Sequence, residues 1–188
     1  MTATEIHPLT PERWPDFEAL FGPRGACAGC WCMFWKLSRK EFDAGKGEPN
    51  RFAMQARVAV GEVPGLLAYV DGVPAGWIAL EPRRAYPGLA RSRILAALDD
   101  RPVWSLPCFF VERKFRRQGL SVALLQAAIR HVAQQGGTIL EGYPVEPADG
   151  KAPPVFLFTG VASAFRRAGF VEAGRRSPTR PIMRYTIR

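Results

Sequence analysis

Residues 108–125 read CFFVERKFRRQGLSVALL. An apolar strand ends at Val111, a short basic turn follows, and an apolar helix begins at about Leu120. The first amides of such a helix have no intrahelical acceptors. They point outward together with the positive end of the helix dipole. A diphosphate can accept from several of them at once. Gly119 lets a phosphate approach the backbone, and Arg113, Lys114, Arg116 and Arg117 add positive charge. Phe115–Ser121 is therefore expected to bind an anion. It is not a Walker loop, because the GxxxxGK[ST] pattern is absent. Taken alone, it also reads as an ordinary strand-to-helix turn with solvated arginines.

The flanks give the turn its setting. Val103–Val111, with Trp, Phe, Cys and Val, reads as a buried strand. Leu124, Leu125, Ala128, Ile129 and Val132 form a helical stripe that Gly136-Gly137 ends, and Thr138–Val145 is the next strand. This β-helix-β unit implies one parallel pair with a right-handed crossover. Upstream, Leu66–Val70 and Pro74–Leu80 flank Asp71-Gly72, a two-residue hairpin signal. Glu5–Leu9 reads as a first strand. Thr10 and Pro11 open a helix that places Trp14, Phe17, Leu20 and Phe21 on one face and ends at Gly22. Ser38–Glu41 is a capping box, and Asn50 is expected to cap a helix running to Gly61. Ala90–Leu98 reads as a short helix and Glu146–Pro154 as a loop. Ala162–Ala168 reads as a helix stopped by Gly169, and Phe170–Gly174 with Ile182–Ile187 as a last strand pair. The fold class is α/β (α+β): a mixed, largely antiparallel sheet of six to seven strands flanked by helices.

In that setting, Val111-x-x-x-x-Arg116-x-x-Gly119-x-Ser121, followed by Ala123-Leu124-Leu125, resembles the acetyl-CoA signature of the GNAT superfamily of N-acetyltransferases. Ser121 stands where that signature usually has Gly or Ala. The segment from Ala164 to Phe170, AFRRAGF, is similar to the family's late helix and the Gly-Phe that opens its last strands. The likeness covers Leu66 to the C-terminus, while the first sixty residues match in element order. It implies a GNAT-like fold and a single acyl-CoA N-acyltransferase-like domain over 1–188. Residues 1–62 would then supply acceptor-side helices and a Cys/Trp loop, and 63–188 the cofactor core and C-terminal strand pair. It also implies an acetyl-CoA-dependent N-acetyltransferase, with direct attack by a small-molecule or peptide amine in a ternary complex and no metal. The alternative is a non-catalytic acyl-CoA-binding or sensor module on the same fold. The implied cofactor residues are Phe110 and Val111, whose backbone would hold the pantetheine arm. Arg116, Arg117, Gln118, Gly119, Leu120, Ser121 and Val122 would hold the pyrophosphate, mainly through the amides from Arg117 to Val122.

Acyl transfer to an amine requires a deprotonated amine, a polarised carbonyl and a leaving thiolate. The resemblance assigns polarisation to a backbone amide at a strand bulge, here near Phe110-Val111. It assigns protonation of the thiolate to a tyrosine four residues before the Gly-Phe glycine, and that position is Phe165. Tyr143 or a water is the substitute donor, or the thiolate leaves unprotonated, with a thiol pKa of ~8.5. Phe165→Tyr is expected to be tolerated. Glu81, Glu141 and Glu112 are the candidate bases, acting through water. Each also reads as a solvated strand-end carboxylate.

Gly25–Trp35 reads GACAGCWCMFW. Cys27, Cys30 and Cys32 give three ligands for a zinc reading that lacks a fourth; only Cys108, His7 and His131 are on offer, and there is no second CxxC. A redox CxxC lacks its β-α setting. Two readings stay open: a packed loop of small thiols and aromatics, or an acceptor wall in which Trp31, Phe34 and Trp35 hold an apolar or cationic amine. This segment and the tail RRSPTRPIMR at 175–184 are similar to a GNAT subgroup with no assigned substrate.

The remaining bounds are compositional. The 188 residues are 47% hydrophobic and 23% charged, enough for a sizeable core and against bulk disorder. No apolar run approaches a membrane span. The N-terminus has no signal-peptide pattern, so a cytoplasmic location is expected, with reduced cysteines. The net charge of +9 favours anions. The arginines are scattered in pairs and no recognition motif is present, so nucleic acid is not expected. Free strand edges permit a homodimer.

Overall fold

The computed structural model describes residues 3–147 and 153–187. Among the described residues, nine strands form two sheets. The first contains β1 (Thr4–Pro8), β2 (Gly65–Val70), β3 (Val73–Ala79) and β6 (Phe109–Val111), in the order β1-β2-β3-β6. The second runs β4-β5-β7-β9-β8, from β4 (Glu81–Pro82), β5 (Trp104–Leu106), β7 (Ile139–Gly142), β8 (Val171–Arg175) and β9 (Pro181–Thr186). All pairs are antiparallel except β5 with β7, the parallel pair expected of the β-helix-β unit.

The apolar run at 103–111 is not one strand, as expected, but two. Proline has no N–H for a ladder and is tolerated only where pairing stops. At Pro107 the chain leaves β5 in one sheet and enters β6 in the other. The six- to seven-stranded sheet is thus divided, and the division creates the open edge of β6.

Each face of the first sheet has its own core. Leu66, Ala68, Ile78 and Leu80 pack with Leu124, Leu125, Ala128 and Val132 of α5 (Leu120–Gln134). Leu67, Trp77 and Ala79 face the other way, onto Trp14, Phe17, Leu20 and Phe21 of α1 (Trp14–Phe21) and onto Trp31 and Cys32. This is the period-2 alternation of a strand covered on both sides. The fully buried leucines of α5 contribute about 1.5–3 kcal/mol each.

Several local expectations hold. Ser38 and Glu41 form the reciprocal capping box of α2 (Arg39–Ala44). Asp71 and Gly72, at φ 48° and 76°, make the hairpin turn. Gly22 ends α1. Two expectations fail. Asn50 does not cap a helix: α3 (Glu48–Ala59) starts two residues earlier, with Pro49 in its first turn. Buried Asn50 instead donates through Nδ2 to the Gly29 carbonyl at 3.2 Å, tying the Cys/Trp loop to α3. The helix expected at Ala90–Leu98 is displaced to α4 (Pro87–Arg91). Beyond it the chain is held by side chains: Arg83 donates to the Leu95 carbonyl at 2.7 Å, and Arg176 to those of Ala96 and Ala97. α6 (Ala162–Arg167) completes the helices, and most of the loop expected at Glu146–Pro154 lies outside the described residues. No helix among the described residues is long and apolar enough to cross a membrane.

Candidate active site

The β6–α5 connection has a specific backbone path. Arg117 lies in the left-handed region at φ 63° and Gly119 at φ 82°. For Arg117 that conformation costs of order 1–2 kcal/mol. A Cβ built on Gly119 would meet nothing within 4 Å, so the turn is open in front of the glycine. Val122 and Ala123 donate to the Gly119 carbonyl at 2.9 and 3.1 Å, so Val122 is not a free donor as expected. The amides of Arg117, Gln118, Gly119, Leu120 and Ser121 have no acceptor among the described residues. Five adjacent donors at the start of a fifteen-residue helix form a strong anion cradle.

An open cavity of about 370 Å³ is lined by four of these five residues, Arg117, Gly119, Leu120 and Ser121. Val111, Arg116, Arg117 and Ser121 line one side, and Ser163, Ala164 and Arg167 of α6 the other. Arg116 is oriented by donating Nε to the Val111 carbonyl at 2.8 Å, and Gln118 by donating to the Lys114 carbonyl at 2.8 Å. Arg113, Lys114, Arg116, Arg117 and Arg167 pair with no carboxylate among the described residues. By contrast, Arg166 pairs with Glu146, and Arg175 with Glu146 and Glu172. Ser163 and Arg167 escaped sequence reading; their one-turn spacing on a helix was the available signal.

The edge of β6 follows from its register. Phe110 lies opposite Trp77, Ala79 donates to the Cys108 carbonyl, and Glu112 donates to the Ala75 carbonyl. Antiparallel alternation therefore turns Phe110's own backbone groups toward β3 and those of Phe109 and Val111 toward the opposite edge. There the Phe109 amide donates to the Phe158 carbonyl at 2.5 Å, and the Val111 carbonyl accepts from Arg116. The Phe109 carbonyl and the Val111 amide remain, one acceptor and one donor on an open edge.

The expected catalytic groups separate. Tyr143 and Glu141 are 0% and 1% exposed. The Tyr143 hydroxyl contacts Glu141, Ser105 and Arg83 at 2.8, 2.8 and 2.6 Å. Glu141 also accepts from Arg83 at 2.9 Å and Arg184 at 2.7 Å. Burial pushes the Tyr143 phenol far above its ordinary pKa. These two residues form a closed polar network within the core, together with Ser105, Arg83 and Arg184. Glu112 lies at the turn end of β6, four strand residues from Cys108, roughly 13 Å along the chain. Phe165 is 0% exposed, packed edge-on to Phe109 and Phe170 at 5.7 and 5.0 Å, and is a core residue.

Glu81 stands apart from these. It continues the face of Trp77 and Ala79, on the side of the Cys/Trp loop. Its carboxylate contacts Lys36 and accepts from Arg57 at 3.0 Å. Lys36 Nζ also lies 4.4 Å from the Tyr86 ring centroid. Burial lowers the Lys36 pKa, and the Glu81 charge opposes that shift. Lys36, Arg57 and Tyr86 were not singled out from sequence, because no short-range pattern joins them to Glu81.

The Cys/Trp loop resolves into a packed segment with a half-buried rim. Ala26, Ala28, Trp31 and Cys32 all have positive φ, an unusual concentration for non-glycine residues. Trp31 is buried and stacked on Phe21 at 5.7 Å, so it belongs to the core rather than to a pocket wall. Phe34 and Trp35 are half-buried and pack edge-on at 4.8 Å, with Phe158 6.0 Å from Phe34. Cys27 is exposed, whereas Cys32 is buried and accepts from Trp77 Nε1 at 3.3 Å. Burial pushes the Cys30 thiol up to about 11. Among the described residues, no three His, Cys, Asp or Glu side chains are grouped to hold a metal.

Comparison with known proteins agrees with this geometry. The family described as Acetyltransferase (GNAT) family matches residues 31–152, well over half of the chain. A search of curated proteins finds no match. Among solved structures, PaiA N-acetyltransferase of Thermoplasma acidophilum, in complex with coenzyme A, superposes with a TM-score of 0.55 at 14% identity, covering 98% of this chain and 99% of that one. YncA of Salmonella typhimurium, with its cofactor acetyl-CoA, gives 0.55 at 12% identity over 98% and 94%. A GNAT-family acetyltransferase of Listeria monocytogenes gives 0.58 at 12% identity over 98% and 95%. At these identities the structures speak for the fold, and the family match speaks for the chain: it belongs to the GNAT family of acetyltransferases.

Proposed function

We propose that this protein is an acetyl-CoA-dependent N-acetyltransferase that acts in the cytoplasm on a small-molecule or peptide amine, by direct attack in a ternary complex. One observation carries the reading: of the five residues with unpartnered amides, Arg117, Gly119, Leu120 and Ser121 line one cavity together with Val111 of β6 and unpaired Arg116 and Arg167. A pyrophosphate fits the amides, and an extended pantetheine amide fits one free donor and one free acceptor on a strand edge. PaiA and YncA, similar in fold, are described with coenzyme A and acetyl-CoA.

Acetyl-CoA would supply the activated thioester, and the protein the positioning. The Val111 amide and Phe109 carbonyl would align the arm with β6, directing the acyl end toward Cys108. The Phe110 amide is spent in the ladder and the Phe109 amide is held by the Phe158 carbonyl, so the Phe109 amide would polarise the thioester only after Phe158 releases it. Glu81, on the loop face beside this end, is the nearest candidate carboxylate, and to relay a proton from the amine through water it would have to release Lys36 or Arg57, which now hold its two oxygens. Residues 1–62 would form the acceptor side and 63–188 the cofactor core.

The reading is tested by calorimetric titration with acetyl-CoA and by thiol release over an amine panel. Wild type should bind, and Gly119→Glu, which sets bulk and negative charge in the cradle, should not. Equal affinity in the two proteins would overturn the site. Binding without thiol release for any amine would favour a sensor over an enzyme.

A further inference from the structure

The cluster around Glu81 has more buried donors than acceptors. Lys36 and Glu81 are each 8% exposed, and Tyr86 is 1% exposed. Both Glu81 oxygens are engaged, one by Lys36 and one by Arg57. The Tyr86 hydroxyl is fully enclosed and has no partner among the described residues. The same is true of Trp35 Nε1, on a ring packed against the Tyr86 cluster, and of Arg57 Nε. Buried polar groups are rarely left unmade, and these three are all donors.

The cluster lies close to where the acyl group would be delivered. Ala79 is opposite Cys108 at the start of β6, and Glu81 is two residues further along the same face, about 7 Å. Phe34, Cys108 and Phe110 on the loop side are half-buried, and because the Tyr86 hydroxyl and Trp35 Nε1 are enclosed, an incoming oxygen would reach them by displacing part of this rim. Each cation already has a carboxylate: Lys36 has Glu81, and Arg57 has Glu81 and Glu62. The site therefore offers hydrogen bonds without surplus positive charge. That suits a neutral carbonyl oxygen better than a carboxylate, and it does not suit a phosphate dianion.

We propose that Trp35 and Tyr86 bind an oxygen of the acceptor, and that the acceptor is an α-aminoacyl compound whose carboxylate or amide carbonyl lies next to the reacting amine. The inference rests on the acetyltransferase reading. Burial supports the role of Tyr86 by holding its phenol protonated, as a donor.

The test compares each of several amino acids with its amide and with its decarboxylated amine, for example phenylalanine, phenylalaninamide and phenethylamine. Thiol release should be at least tenfold higher in kcat/KM for the carbonyl-bearing members. Preference for the free acid or the amide distinguishes a free amino acid from a peptide N-terminus. Tyr86→Phe removes a hydroxyl that is unpartnered in the free protein, so the fold should persist. KM for carbonyl-bearing amines should rise about tenfold, while the decarboxylated amines are spared. Equal or better turnover of the decarboxylated amines, or an unchanged KM in Tyr86→Phe, would overturn the proposal; the hydroxyl would then hold only a buried water. So would retained acetyl-CoA binding with no turnover of any panel member. Loss of acetyl-CoA binding itself would strike the parent reading. A thermal shift by the amino acids, present in wild type and lost in Tyr86→Phe, then still decides this one.

Discussion

Phe165 lies with its ring edge against the backbone of Gly142: a Cβ built on Gly142 would overlap Phe165 Cε1 and stand 2.6 Å from Cζ. Gly160 closes the other edge, where a built Cβ would stand 2.9 Å from Cε2. A hydroxyl on that ring would enter a dry, closed space. Phe165→Tyr should therefore lose about 1–3 kcal/mol of stability as a buried unsatisfied polar group, read by urea unfolding. This reverses the expectation from sequence that the change is tolerated. A variant of wild-type stability with an altered pH–rate profile would restore the ring to the proton path.

Glu141 should be essential to the fold rather than to the chemistry. Glu141→Ala would leave buried Arg184 and half-buried Arg83 beside an emptied site, a change that costs up to about 3–5 kcal/mol, reduced here because Arg184 keeps Asp99. Denaturant midpoints measure that loss. If stability were unchanged and turnover per folded molecule fell a hundredfold, the catalytic assignment would return.

Acid should weaken the C-terminal strands before the cofactor core. Arg184 and Arg101 hold Asp99 well below the carboxylate range, and Arg175 with Arg166 lowers the pKa of Glu146. A carboxylate whose folded pKa is depressed stabilises above its unfolded value and loses that contribution as pH falls through the folded one. The melting temperature should thus decline below about pH 4, less steeply at high salt because these groups are exposed. Asp99→Asn should flatten the decline. An identical slope would show that Asp99 is not one of the groups responsible.

Asn50→Ala should release the Cys/Trp loop from α3. It removes the donor to the Gly29 and Phe42 carbonyls and costs about 1–3 kcal/mol where they stay buried. Alkylation of the half-buried Cys30 thiol, followed by mass spectrometry, should accelerate in the variant. Unchanged labelling would mean that the loop is held by its aromatic packing alone.

The strand, turn and helix that carry the free amides were legible because their signals are local: apolar strand, basic turn, glycine and helix start within a dozen residues. The capping box at Ser38 and the Asp71-Gly72 hairpin were legible for the same reason. Ala90–Leu98 misled because its leucines and alanines fit a helical stripe, whereas distant Arg83 and Arg176 hold its carbonyls in another path. Pro107 did carry a readable signal for the strand break, since a proline inside an apolar run argues against a continuous central strand. The grouping around Glu81 was not legible. Lys36, Arg57, Glu81 and Tyr86 meet from four separate segments, and no spacing rule predicts that meeting.

The break at Pro107 has a mechanical consequence. Direct strand-to-strand passage between the sheets uses only Leu80 and the Pro107–Cys108 step. An arm laid along the Val111 edge would act as a removable strand, joining the ladder of the first sheet on arrival and leaving a raw edge on departure. The protein would then be stiffest when loaded, with its cofactor serving as a stave as well as a reagent.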